Sequence, residues 1–278
     1  MEGHTTSEGL RYVEAELHYL VDTGEKPAIY LYPPPPGISQ RTGRYATSTV
    51  PIHDGRALLP QLSLDKQGFL LQHHETKVVN FYNEQEVQAV YYPEVEQLVQ
   101  TVTGAAKVVV FDHTWRCASA AKQTEYSAQE PVRMAHNDYT PRSGPQRVRD
   151  LLEADEAEAR LQRRFVEINV WRPIQQGPVE DTPLAVCDGQ TIAPQDFVAT
   201  DLKYRDRTGE VYVLTFNPHH RWYYFPHMQR NEALLLKGYD SLTDGRTRFT
   251  AHTAFDDPTA LPHAVARESI EIRTLVFF

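Results

Sequence analysis

Short β-type segments follow one another from residue 164 to the C-terminal end, and this pattern limits the fold more than any other feature of the chain. Proline, glycine and aspartate separate these segments, and no helical segment alternates with them. Strands that follow each other without helices between them pair antiparallel, in a barrel or a sandwich. We predict strands at residues 165–170, 184–186, 199–204, 210–216, 222–225, 232–237, 248–253 and 269–278.

Helical segments are confined to the first part of the chain. Apolar residues recur at three- and four-residue spacing across 84–103, which predicts a helix with Pro93 in its first turn or at a break. Residues 145–163, rich in Arg, Glu, Ala and Leu, predict a second helix. The loose alternation of 12–20 predicts a strand, and the β-branched run at 106–114 predicts a buried one. The expected architecture is mostly β with flanking helices.

The length and the net charge of the chain limit the classes of function that it can have. The 278 residues suit one domain, and a net charge of −9 disfavours nucleic acid, because phosphate contacts need a basic surface. The apolar runs fall short of the roughly 20 residues that span a bilayer, and the first residues do not resemble a signal peptide. We therefore expect a soluble, cytoplasmic protein with no membrane partner. Cys117 and Cys187 are expected to be buried thiols.

His136 and Asp138 form a His-x-Asp motif. At i and i+2 on an extended segment, the imidazole and the carboxylate project to the same side and can bind one metal. A second histidine from a distant strand would complete a 2-His-1-carboxylate triad, which leaves positions open for a bidentate cosubstrate and O2 on non-haem iron. His252 is the favoured third ligand, because an Arg-x-Ser pair follows it; His227 is the alternative.

The last predicted strand carries polar residues on one face. Arg267, Ser269, Glu271 and Arg273 alternate with apolar residues. A buried guanidinium is costly without a partner, and a dicarboxylate cosubstrate would supply one through two parallel hydrogen bonds. Arg267 with Ser269 is the favoured site, and Arg273 is the alternative on the same face. Pairing of these arginines with neighbouring glutamates would instead make them structural.

The set of motifs resembles the 2-oxoglutarate-dependent dioxygenases of the double-stranded β-helix fold. More narrowly, it resembles the fungal asaB-type hydroxylase/desaturase family, which includes gibberellin desaturase-like and endoperoxide-forming enzymes of meroterpenoid pathways. The stretches that carry the resemblance lie at 108–114, 132–140, 169–174, 231–241, 252–258 and 267–273.

This resemblance implies a single domain over 1–278, with an N-terminal extension at 1–105 packed on a double-stranded β-helix (jelly-roll) core at 106–278. It implies iron(II), 2-oxoglutarate and O2, with iron at His136, Asp138 and His252. Asn169 is a further candidate for contact with the cosubstrate. A homodimer is expected from the resemblance alone. The alternatives are a cupin-like metal enzyme that does not use 2-oxoglutarate and a non-catalytic ligand-binding barrel.

The expected substrate is a small lipophilic natural product, such as a terpenoid, meroterpenoid or alkaloid of secondary metabolism. Aromatic residues close to the motifs suggest an apolar pocket wall. Those expected at its mouth are Tyr139, Trp171, Trp222, Tyr223, Tyr224, Phe225 and Phe255. The oxidation outcome (hydroxylation, desaturation, endoperoxidation or rearrangement) does not follow from the sequence.

Overall fold

The strands of the protein form two sheets. The structure, a computed structural model, describes residues 4–5 and 10–278. In chain order the described strands are β1 (His4–Thr5), β2 (Arg11–Val21), β3 (Ala28–Tyr30), β4 (Arg44–Asp54), β5 (Phe69–His73), β6 (Lys107–Cys117), β7 (His136–Asn137), β8 (Phe165–Pro173), β9 (Leu184–Cys187), β10 (Phe197–Lys203), β11 (Thr208–Leu214), β12 (Trp222–Tyr224), β13 (Glu232–Asp240), β14 (His252–Ala254) and β15 (Glu268–Phe277). Within these residues the larger sheet has the order β1-β2-β4-β12-β9-β14-β7-β11-β10-β3, and the smaller sheet has the order β5-β13-β8-β15-β6.

Short helices surround the sheets. They are α1 (Glu84–Glu86), α2 (Tyr92–Thr103), α3 (Ala120–Tyr126), α4 (Ser143–Leu151) and α5 (Ala154–Leu161), with a π-helical turn at Val87–Tyr91 and 3-10 turns at Gly55–Gln61, Gly189–Thr191 and Pro194–Asp196. The helix predicted at 84–103 is confirmed, and Pro93 lies in the first turn of α2. In the part of the chain that the structure describes, no helix is long and apolar enough to cross a membrane.

The smaller sheet has an apolar outer face and a polar inner face. On β8 the apolar residues Val166, Ile168 and Val170 pack against α2, as do Ile270 and Ile272 of β15. Each such buried side chain contributes roughly 1.5–3 kcal/mol to stability. Because side chains alternate along a strand, the residues between them point toward the larger sheet. Polar residues are unusual on a face that packs against another sheet, so they indicate a functional site between the two sheets.

The two sheets pack face to face through apolar residues at one end. Leu234 and Leu236 of β13 contact Val186 of β9 and Tyr223 of β12 in one buried cluster. Most neighbouring strands pair antiparallel, with parallel pairs only at β3–β10 and β4–β12 among the described named strands. The mostly-β, jelly-roll fold predicted from the sequence is confirmed.

The N-terminal part of the chain contributes strands to both sheets. β2 and β4 pair antiparallel from Tyr12 and His53 to Val21 and Arg44, and they extend the larger sheet through the β4–β12 pair. β5 forms the edge of the smaller sheet beside β13. The boundary at residue 105 between an extension and a core stays a prediction.

Three local predictions need correction. The helix predicted at 145–163 is two helices, α4 and α5, because Leu152 is extended at φ −113° and ψ 156°. A five-residue step from Leu152 to Ala157 would turn a continuous helix away from the core that both residues contact. β6 is half-buried, since it is an edge strand of the smaller sheet rather than a central one. The strand predicted at 248–253 is shorter and forms only at β14.

Candidate metal and cosubstrate site

His136, Asp138 and His252 meet between neighbouring strands of the larger sheet. β7 and β14 pair antiparallel with His136 directly opposite His252, and the two imidazole rings lie 4.4 Å apart. Asp138 follows β7, and its Oδ1 lies 3.5 Å from His136 Nε2. One ligand atom from each of the three residues lies within 4.8 Å of the others. The structure therefore brings together the three residues that were predicted from the sequence to be metal ligands.

The middle residue of the His-x-Asp motif fixes this arrangement. Asn137 is fully buried, and its Nδ2 donates to the carbonyl oxygens of Tyr139 and Gly238 at 2.7 and 2.9 Å. Its Oδ1 accepts a hydrogen bond from the backbone N–H of Thr250, two residues before His252. One amide side chain thus ties β7 to β13 of the other sheet and to the segment that presents His252.

Both histidines present Nε2 to the site. His136 Nδ1 lies 2.8 Å from the Met134 carbonyl oxygen, and His252 Nδ1 lies 3.3 Å from that of Thr250. A carbonyl oxygen only accepts, so Nδ1 carries a proton in each ring, and Nε2 is the nitrogen left to bind a metal. Burial, followed by the charge of His252, lowers the pKa of His136 to about 3. The His136 imidazole is therefore neutral, as a metal ligand must be.

Asp138 is held ionised by the inner face of the smaller sheet. Its Oδ2 accepts hydrogen bonds from Asn169 Nδ2 at 2.7 Å and from Arg273 Nε at 3.4 Å. Burial alone would raise the pKa of Asp138, but Arg273, His252, His136 and the Asn169 hydrogen bond lower it. Because Oδ2 receives these donors, Oδ1 remains available on the side of the histidines.

The donor set fits iron(II). Two imidazole nitrogens and one carboxylate oxygen are the protein ligands of non-haem iron enzymes that bind a cosubstrate and O2 at open positions. Each of the three ligands also has a supporting hydrogen bond, the feature that orients ligands in metal sites. In the described residues these three form the one group of histidine, cysteine or acidic side chains close enough to hold a metal ion.

Arg267 and Ser269 provide unused donors for an anion. Arg267 is 1% exposed, and its Nη1 donates to the Thr182 carbonyl oxygen at 2.7 Å. Its Nε and the hydroxyl of Ser269 are buried without a hydrogen-bond partner among the described residues. Burial first, then the charges of nearby arginines, lower the pKa of Arg267 to about 9. A carboxylate of 2-oxoglutarate fits these free donors.

Arg273 and Asn169 are already engaged. Besides Asp138, Arg273 forms ion pairs with Asp112 at 3.1 Å and with Glu271 at 3.3 Å. Asn169 Nδ2 bridges Asp138 and Glu271, the latter at 3.0 Å, and the Asn169 Oδ1 has no partner among the described residues. Arg273 therefore lacks the free donors that Arg267 has, and Asn169 acts through the carboxylate of Asp138.

A cavity of about 850 Å³ opens onto His136 and Asp138. A smaller cavity of about 320 Å³ adjoins it and shares Asp138 and Tyr139 with it. Among the described aromatic residues that the sequence places at the mouth, Tyr139 is the one that lines the larger cavity. Trp222 and Phe255 are packed in a buried apolar cluster of the larger sheet. The expectation of an aromatic mouth is therefore wrong for the other residues, which fill the core.

His227 lies away from the site. It is exposed, in a turn after β12 with a positive φ of 52°, and it does not belong to the group of possible metal ligands. Sequence reasoning did not identify Thr114 and Arg116 of β6, which line the cavity together with Asp112. Their alternation with His113 and Trp115 was visible in the sequence, but nothing there indicated which face points to the metal.

The chain is similar to known oxidoreductases over most of its length. A family model described as "Oxidoreductase/YMDC permease-like domain" matches residues 17–277. The chain is 34% identical to the hydroxylase/desaturase efuI of Hormonema carpetanum, over 84% of this chain and 85% of that protein. It is 33% identical to the Fe(II)/2-oxoglutarate-dependent dioxygenase nvfI of Aspergillus novofumigatus, over 96% of this chain and 97% of that protein.

The fold is also similar to a solved structure. A variant of the iron and alpha-ketoglutarate-dependent endoperoxidase NvfI superposes with a TM-score of 0.88 at 30% identity. The match covers 100% of this chain and 99% of that chain. The sequence similarity and the structural similarity thus both extend over nearly the whole chain.

Proposed function

This chain belongs to the family of fungal hydroxylase/desaturase enzymes and Fe(II)/2-oxoglutarate-dependent dioxygenases, and we propose that His136, Asp138 and His252 hold its iron(II). The observation that carries the proposal is the pairing of β7 with β14, which sets two Nε2 lone pairs and one carboxylate oxygen around a common point. When bound, iron(II) and 2-oxoglutarate would allow O2 to oxidise a C–H bond of the substrate, while 2-oxoglutarate is converted to succinate and carbon dioxide.

The residues behind the ligands keep this site in one geometry. Arg273 and Asn169 hold Oδ2 of Asp138, so that the carboxylate cannot rotate freely. Glu271, 3.3 Å from Arg273 Nη2 and 3.0 Å from Asn169 Nδ2, orients both donors. Such supporting partners commonly change metal affinity about 10- to 100-fold.

Arg267 and Ser269 are proposed to bind a carboxylate of 2-oxoglutarate. Their free Nε–H and hydroxyl groups are buried on the inner face at the start of β15. The guanidinium lies 5.5 Å from the centre of the Trp171 ring, which limits its movement and excludes water from one side. A charged donor in this dry position gives the cosubstrate a fixed orientation relative to the metal ligands.

The substrate is proposed to be a small natural product with a largely apolar body. The cavity has the volume for such a molecule, and Ile29, Leu31, Met134 and Val211 form apolar parts of its wall. Nucleic acid is disfavoured by the net charge of −9. The cytoplasmic location, the homodimer and the independence from membranes stay predictions.

The test is succinate release by the iron-loaded protein in the presence of 2-oxoglutarate and a panel of terpenoids, meroterpenoids and alkaloids. Stimulation by members of this panel, lost in His136→Ala and Asp138→Ala, is the expected result. Oxidation of a panel member without any need for 2-oxoglutarate would favour the cupin-like alternative. Stimulation by peptides or amino acids, with none by the natural products, would contradict the proposed substrate class.

A further inference from the structure

The wall of the larger cavity is locally cationic, although the chain as a whole is acidic. In the described part of the chain, three carboxylates line the cavity, those of Asp112, Glu130 and Asp138. Five arginines line it: Arg41, Arg116, Arg133, Arg147 and Arg273. Iron(II) and the dianion of 2-oxoglutarate cancel each other's charge, so they do not remove this excess.

Arg116 lines the cavity and has guanidinium donors that no described residue accepts. It lies on the same face of β6 as Thr114 and Asp112, both of which accept hydrogen bonds from Arg273. Arg116 Nη1 donates to the Glu130 carbonyl oxygen at 2.9 Å and to Gln129 Oε1 at 3.3 Å. Among the described residues, no group accepts a hydrogen bond from Nε or Nη2 of Arg116, and no carboxylate forms an ion pair with Arg116. The Nε–Nη2 edge is one that binds a carboxylate with two parallel hydrogen bonds.

The other arginines of the wall are differently placed. Arg273 is surrounded by three carboxylates. Arg133 lies 2.6 Å from the carboxylate of an exposed aspartate. Arg147 lies 4.0 Å from the carboxylate of Asp150 and over an aromatic ring at 5.6 Å. Arg41 is exposed. Among these five arginines of the described wall, Arg116 is thus the half-buried one without a carboxylate partner.

Arg116 is also close to the candidate iron site. It pairs in register with Ser269 across β6 and β15, and it lines the same cavity as His136 and Asp138. An anion bound at Arg116 would therefore lie within the cavity onto which His136 opens.

From this position we propose that Arg116 binds a carboxylate group of the substrate, so that the substrate is an organic acid with an apolar body. The proposal rests on the dioxygenase function proposed above and narrows its substrate class. A carboxylate held by the Nε–Nη2 edge fixes one end of the molecule, while the apolar wall around Met134 and Val211 contacts the rest. An ester or an alcohol of the same shape would lose the paired hydrogen bonds and leave the guanidinium without a counterion.

The test uses 4-fluorobenzoate and its uncharged methyl ester as matched probes. Protein loaded with iron(II) and saturated with 2-oxoglutarate is titrated under argon, and fluorine NMR line broadening gives each dissociation constant. The carboxylate should bind about 10- to 100-fold more tightly than the ester, the range of a charge-assisted hydrogen-bonded pair. Arg116→Gln should remove this preference and leave ester binding unchanged.

Two further variants make the test specific. Arg133→Gln removes the same charge from the same wall but from a guanidinium that already has a partner, so the preference should persist. Arg116→Lys keeps the charge and loses the planar edge, and it should retain part of the preference. Iron content and thermal unfolding of each variant verify that the site has formed.

Other results would overturn the assignment. Equal binding of both probes to the unaltered protein, or no saturable carboxylate binding at millimolar concentration, would show that Arg116 does not form an anion site. A large loss of 2-oxoglutarate affinity in Arg116→Gln would assign the arginine to the cosubstrate instead. Failure of the unaltered protein to bind iron(II) and 2-oxoglutarate would contradict the dioxygenase function itself, a separate observation from the probe preference.

Discussion

Replacing Arg267 with glutamine should weaken 2-oxoglutarate binding without destabilising the protein. The guanidinium is 1% exposed, has one hydrogen bond to the Thr182 carbonyl oxygen, and has no carboxylate partner among the described residues. Replacing the guanidinium removes its hydrogen bond to the Thr182 carbonyl oxygen, which lowers stability. The replacement also removes a buried charge that lacks a counterion, which raises stability, so the two effects oppose each other. The thermal unfolding temperature of the apoprotein should therefore be unchanged or slightly higher.

The effect on the cosubstrate should be large. A charge-assisted hydrogen bond contributes roughly 1.5–3 kcal/mol, so the dissociation constant of 2-oxoglutarate should rise about 10- to 100-fold in Arg267→Gln. Ser269→Ala, which removes a neutral donor, should raise it less, by about 2- to 10-fold. The assay is calorimetric titration of 2-oxoglutarate under argon into protein loaded with iron(II), so that turnover is prevented.

Two results would refute this reasoning. Unchanged 2-oxoglutarate affinity in Arg267→Gln would show that the free donors serve another purpose. A fall in apoprotein stability by several kcal/mol, as for a broken buried ion pair, would show that Arg267 is structural. Arg273→Gln is the matched comparison: because Arg273 supports Asp138, it should reduce iron retention first.

Three further outcomes follow from neighbouring residues. Asn169→Ala should weaken iron(II) binding about 10- to 100-fold in an anaerobic titration, because Asp138 loses its 2.7 Å hydrogen bond; unchanged affinity would contradict this support. Burial raises the pKa of Glu167 well above 4.5, and both of its carboxyl oxygens lack a hydrogen-bond partner among the described residues. The stability that protonated Glu167 contributes is therefore present below pH 4.5 and is lost as the pH rises from there toward the raised pKa. Glu167→Gln should therefore raise the unfolding temperature at neutral pH more than at pH 4.5; an equal effect at both pH values would exclude this linkage. Gly238→Ala should destabilise the protein by about 1–3 kcal/mol in denaturant unfolding, since the new Cβ would lie 2.8 Å from the Tyr139 ring; a neutral effect would mean that the ring can move freely.

Much of the site could be predicted because its information is local. The i, i+2 spacing of His136 and Asp138 and the alternation of Arg267 with apolar neighbours fix which side chains share a face. The order of short strands without intervening helices fixed the fold class. His252 was favoured over His227 from the Arg-x-Ser pair that follows it, and the β7–β14 register places it opposite His136.

The remaining features depend on long-range pairing, which the sequence does not reveal. The aromatic cluster at Trp222 to Phe225 is equally compatible with a pocket wall and a core, and only the packing of β12 between β4 and β9 decides for the core. The alternation around Arg116 was readable, but its orientation depends on the pairing of β6 with β15. The break between α4 and α5 could have been found, since a five-residue step does not fit one helical face.

Iron(II) binding by a matched pair of histidine variants tests the central claim most directly. Anaerobic titration of His252→Gln and His227→Gln, compared with the unaltered protein, measures the stoichiometry of tightly bound iron(II). Because His252 Nε2 faces His136 and Asp138 whereas His227 is exposed in a turn, His252→Gln should lose tight iron binding and His227→Gln should retain all of it. Full iron binding by His252→Gln, or loss of iron in His227→Gln, would contradict the proposed metal site.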